Sequence, residues 1–163
     1  MTLLLAFHVA ISLVAIVLGF VMAAGLVALP PRHRASAPFL WTTILTSVTG
    51  FPLPADRILP SHVVGVISLV LLTVATLAWY RHRLAGGWGR AYVVAALASL
   101  YLNVFVLVVQ LFRRVPVLFA LAPTQAEPPF AIAQGAVLVA FVALTALALR
   151  RAARSTSSAA RGG

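Results

Sequence analysis

Cysteine and lysine are absent from this 163-residue chain, and its acidic side chains are limited to Asp56 and Glu127. Without cysteine there is no disulfide framework, no thiolate-bound zinc or iron–sulfur cluster and no thiol nucleophile. Charged residues make up 9% of the chain against 63% hydrophobic, with mean hydropathy +1.08. A soluble domain carries about 25% charged and about 45–50% apolar residues, so an ordinary soluble fold is excluded. The twelve basic residues are all arginine and give a net charge of +10. A nucleic-acid binder would need a polar surface to display them, and this chain has almost none, so the lipid bilayer is the partner that the composition selects. No nucleophile elbow, phosphate-cradling glycine loop, zinc-protease motif or dinucleotide fingerprint is present, and the sequence assigns no enzymatic activity.

What is abundant is long apolar runs. A membrane helix needs about 20 mostly apolar residues. Four stretches meet that length: Thr2 to Leu29, Pro60 to Tyr80, Trp88 or Tyr92 to Phe112, and Phe130 to Leu149. The first is uncharged and ends at Pro30-Pro31-Arg32-His33-Arg34, which stops a helix and places charge in water. It lacks a positive leader, and its apolar run is about twice that of a usual signal peptide, so it reads as a retained helix. A fifth segment, Phe39 to Phe51, covers about 20 Å before Pro52 and Pro54, and is either a short crossing or a re-entrant hairpin.

Arginine bookkeeping separates the two. If the short segment crosses, nine arginines (32, 34, 81, 83, 90, 150, 151, 154 and 161) share one side against Arg57, Arg113 and Arg114; if it does not, the split is seven against five. Because arginines in short loops stay cytoplasmic, the expected fold is an all-α polytopic bundle of five transmembrane helices, the second short, with the amino terminus outside and the carboxyl terminus cytoplasmic. Residues 1–152 form one bundle domain, and 153–163, rich in Arg, Ser, Thr and Gly, read as a disordered cytoplasmic tail.

The scarce intramembrane polar residues fall in stripes at helical spacing: His8, Ser12, Ala15 and Gly19; Thr42, Thr46 and Thr49, with Thr43 and Ser47 beside them; His62, Gly65 and Ser68; Tyr92, Ser99, Asn103 and Gln110; Gln134 and Thr145. Polar groups in lipid face the bundle interior, and serine, threonine and glycine there ordinarily serve close packing. On the five-helix topology the strongest polar groups collect at the outer end. His8, His62, Asn103, Gln110, Gln125, Glu127 and Gln134 are the candidate ligand-binding residues of an outward-facing pocket.

Three chemistries fit such a pocket. His8 and His62 could be axial ligands of a b-type haem, or metal ligands completed by Glu127. A quinone could be held by His and Gln side chains, with Tyr101, Phe105 and Phe112 packing its ring. A small transporter is the third, although no helix carries the acidic residue a proton relay needs. Against all three stands an accessory or assembly subunit whose stripes pack against partner membrane proteins or a second copy and bind nothing small. His33 and His82, each between two arginines, read as solvated or headgroup-facing, and Trp79, Tyr80 and Trp88 as an interfacial aromatic belt.

The stretches Thr43 to Phe51, Ser61 to Leu69, Leu100 to Gln110 and Leu121 to Phe130 (Leu-Ala-Pro-Thr-Gln-Ala-Glu-Pro-Pro-Phe) resemble a family of small bacterial polytopic inner-membrane proteins with no assigned activity. The resemblance covers nearly the whole chain. It implies a bacterial cytoplasmic-membrane location and brings no cofactor or residue role with it.

Overall fold

The computed structural model describes residues 3–28, 34–51 and 60–161, the side chains of 60–62 and 154–161 excepted; Arg32, His33, Asp56 and Arg57 lie outside that set. The described chain is helical throughout its elements: α1 (Leu3–Ala28), α2 (Ser36–Gly50), α3 (Pro60–Thr76) continued by a π-helical turn (Leu77–Arg81), α4 (Gly87–Arg114), a short α5 (Pro116–Leu121) and α6 (Pro128–Arg161). Four helices are long and apolar enough to cross a membrane: α1, α3 with its π turn, α4, and α6 as far as Ala153. This is the make-up of a multi-pass membrane protein. The 15-residue α2 falls short of that length. Residues 153–161, read from sequence as a disordered tail, continue α6; their alanines and arginines are strong helix formers.

Side-chain contacts fix the helix directions. His8 of α1 bonds Thr49 of α2, while Phe39 of α2 lies beside Gly19 of α1, so these two helices are antiparallel. Ser47 bonds Ser68, and Trp41 bonds Tyr80, so α3 runs antiparallel to α2. The rings of Trp79 and Tyr92 lie 5.4 Å apart across the turn into α4. Phe112 meets Phe130, and Tyr101 meets Phe141, bringing α6 back along α4. The bundle therefore has a His8 end and a turn end, and α2 runs side by side with α1 and α3 between them.

The core forms around α4, where Tyr92, Val93, Leu97 and Leu100 are buried against Met22, Phe39, Leu40 and Leu72. Outward positions such as Val17, Phe20, Val70, Ile132 and Val139 are large, apolar and exposed, as expected where lipid is the solvent. At the turn end the π turn closes with His82 N–H bonded to the Leu77 carbonyl and Leu84 N–H to that of Ala78. Arg83 and Leu84 both take positive φ, a conformation costly for side-chain-bearing residues, and Leu84 is held there by packing against the core. His82 stacks on Trp88 with ring centroids 3.8 Å apart and planes 3° from parallel, which pins the turn.

Candidate functional site at the His8 end

His8 sits about one and a half turns into α1, and its Nδ1 lies 3.0 Å from Thr49 Oγ1. The threonine hydroxyl has one proton, and it donates that proton back along α2 to the Leu45 carbonyl at 2.7 Å. Thr49 can then only accept from the imidazole. This geometry fits the Nδ1–H tautomer of His8, and its Nε2 has no hydrogen bond to any described residue. Gly50 lies beside the ring, where a Cβ would come into ordinary contact at 3.4 Å from His8 Cε1. A histidine oriented through one nitrogen while the other is free is the arrangement metal-binding imidazoles use.

The remaining candidates divide between two seams. Along α4, Tyr101, Phe105 and Phe112 face α6, because Tyr101 touches Phe141, Phe112 touches Phe130, and the Phe105 carbonyl accepts Gln134 Nε2 at 3.1 Å. Gln134 Oε1 is buried in that seam without a partner. Asn103 lies two residues from both Tyr101 and Phe105, about 200° round the helix, and so on the face turned away from α6. Counting eleven residues back from Trp79 and eleven forward from Tyr92 sets Asn103 level with Ser68, whose hydroxyl receives the Ser47 bond at 3.3 Å. The Asn103 amide nitrogen is buried and unpartnered. The structure thus brings Gln134 together with the aromatic residues and sets Asn103 and His8 apart from them.

The loop residues are occupied by the loop itself. Gln125 Nε2 donates to the Val109 carbonyl at 3.0 Å, tying the loop to α4 and fixing a backbone with φ of 62°. Glu127 accepts from the Thr124 hydroxyl at 2.9 Å and from the backbone N–H groups of Thr124 and Ala126 at 3.2 and 3.1 Å. Slight desolvation would by itself raise its pKa, but these hydrogen bonds to the charged form outweigh it and hold the carboxyl below its usual range. Its backbone carbonyl accepts the Phe130 and Ala131 N–H groups, so Glu127 caps the helix that Pro128 and Pro129 open.

Gln110 is exposed on α4. His62 is the third residue of α3, and its side chain lies outside the described residues. No group of three or more His, Cys, Asp or Glu comes together among the described residues to hold a metal ion, so any metal here would draw further ligands from elsewhere. Sequence reasoning placed Thr49 in a packing stripe and missed it as the partner of His8; their equal depth from one end of the bundle is the signal that joins them. No protein-family model, curated protein or solved structure matches this chain.

Proposed function

We propose that this is a five-span integral membrane protein of the bacterial cytoplasmic membrane, with its amino terminus and His8 end outside, and that the His8 end binds a small ligand or redox cofactor. The position of α2 supports the topology. Lying antiparallel between α1 and α3, it gathers Arg34 with Arg81, Arg83, Arg90, Arg150 and Arg151 at the turn end and leaves Arg113 and Arg114 at the other. That asymmetry is the one that orients proteins with the arginine-rich face in the cytoplasm.

The ligand reading is carried by one observation, the His8 Nδ1–Thr49 hydrogen bond beside a Thr49 hydroxyl placed to donate to Leu45, an arrangement that favours a free Nε2. A free Nε2 lone pair is matched by an electron-pair acceptor such as haem iron or a metal ion, or by a ligand O–H. A quinone carbonyl is itself an acceptor and is not matched by it. His8 would hold such a group through Nε2, with His62, at the same end of the bundle by its place in α3, as the candidate second ligand; haem iron would there supply one-electron chemistry.

The test is a comparison of wild type, His8→Ala and Thr49→Val purified in mild detergent, by visible spectrum, metal analysis and native mass spectrometry. The expected result is a bound species in wild type that disappears in His8→Ala while helical content is retained. Preparations of wild type and His8→Ala with the same spectrum, metal content and mass would contradict the reading.

A further inference from the structure

Among the described residues seven hydroxyls are spent on their own helix, that of Ser12 on the Val9 carbonyl three residues back and six others one residue further. Those of Thr42, Thr46, Thr49, Thr73, Ser99 and Thr145 donate to the carbonyl four residues back at 2.7 to 2.9 Å. Thr43 and Thr76 depart from this habit although the Phe39 and Leu72 carbonyls stand in the same relation to them. Both hydroxyl oxygens are buried with no hydrogen-bond partner, and so are those of Ser36 and Tyr92. Ser36, Thr43 and Tyr92 are each 0% exposed.

These four oxygens belong to one seam. The Ser47–Ser68 and Trp41–Tyr80 bonds bracket the contact of α2 with α3, and Thr43 and Thr76 lie between those brackets on their respective helices. Ser36 and Tyr92 are side-chain neighbours short of hydrogen-bond geometry, and Tyr92 packs on Trp79 of α3. Ser36 is the first residue of α2, directly after a turn whose Arg34 is exposed. A buried hydroxyl left unpaired in an apolar interior is costly, and native structures rarely leave four on one set of packed helices.

We propose that a file of internal water molecules occupies the seam of α2, α3 and α4, entering at Ser36 and Tyr92 and reaching Thr43 and Thr76. Four hydroxyls supply four donors and eight acceptor sites, and a buried water makes about three hydrogen bonds, so the residues can hold such a file. The site is uncharged on every side among these residues, which selects water over an ion. It stands on different residues from the His8 site and on the opposite end of the bundle, so the two succeed or fail separately.

The chain contains no cysteine, so single-cysteine variants report without background. Thr43→Cys and Thr76→Cys, in the full-length protein in detergent, are exposed to silver ion, which is small enough to follow water. A thiol in water ionises more readily than one in a dry apolar core. Both should react at least about tenfold faster than Met22→Cys, which is buried in the apolar core on α1, a factor equivalent to one unit of thiol pKa. Thr43→Val and Tyr92→Phe serve as a second readout: each should lower the melting temperature, because bound water loses a partner. Reaction no faster than at Met22→Cys would overturn the proposal, as would unchanged or raised melting temperatures, the sign expected when an unpaired hydroxyl is removed from a dry seam.

Discussion

Thr49 meets His8 through Nδ1, and the Leu45 carbonyl within reach of its hydroxyl favours the proton on that nitrogen. Replacing Thr49 by valine keeps the shape and deletes the acceptor. The stability cost should be about 0.5–1 kcal/mol, the usual worth of a hydrogen bond between membrane helices, whereas ligand occupancy at His8 should fall by about 10–100-fold, as when the outer partner of a ligating histidine is removed. Thermal denaturation and ligand content of the same preparation check the two separately. Glu127 gives a pH prediction. Its folded-state pKa is depressed, so the stability it contributes is complete above the ordinary glutamate pKa and is lost as pH falls through the lower folded value. Melting temperatures of wild type should drop across that acid window more than those of Glu127→Gln. Among single residues the sequence revealed candidates but not their partners. His8, Gln125, Glu127 and Gln134 were visible as scarce polar groups, yet whether each bonds backbone, loop or ligand depends on tertiary register that spacing within one helix cannot supply.

At the scale of elements, the spacing of small residues separates packing glycines from incidental ones. A Cβ on Gly19 would meet the Leu100 side chain and lie 2.9 Å from Phe39 Cε2, and both of those residues are fully buried. Gly135 has nothing within 4 Å of the corresponding position. Gly19→Ala should therefore destabilise the bundle by about 1–3 kcal/mol through overpacking. Gly135→Ala should be neutral or stabilising by about 0.5–1 kcal/mol through helix propensity. Denaturation in detergent distinguishes them by sign. The long helices were legible in the sequence because uncharged runs and bounding prolines state their ends directly, as at Pro30 and Pro128. The π turn at 77–81 and the short α5 were not. The first is set by how Leu84 packs back on the core, and the second is a six-residue apolar piece, with Phe119 and Leu121 exposed, too short for periodicity to declare.

For the whole molecule, function and topology meet in α2. Its 15 residues extend about 22 Å, less than the hydrocarbon core of about 30 Å, and a short helix is accommodated by local bilayer thinning. If α2 crosses, the arginine-rich turn end is cytoplasmic, and His8 with Thr49, Gln125, Glu127 and Gln134 faces the outside. The arginine count conveyed this preference from sequence alone, because charge placement relative to spans is a property of the linear chain. The division of the expected pocket into an α1/α2 seam and an α4/α6 seam was not legible, because it depends on which face of α4 each neighbour covers.

The most direct measurement is labelling of single-cysteine variants in intact cells with a membrane-impermeant maleimide. Positions Leu3, Thr124 and Ala153, one cysteine at a time, report the amino-terminal end, the loop carrying Glu127 and the carboxyl-terminal end of α6. Five spans with the His8 end outside predict that Leu3→Cys and Thr124→Cys are labelled at once and Ala153→Cys only after the cells are permeabilised. Leu3→Cys and Ala153→Cys reacting from the same side would contradict the five-span account and, with it, an outward-facing site at His8.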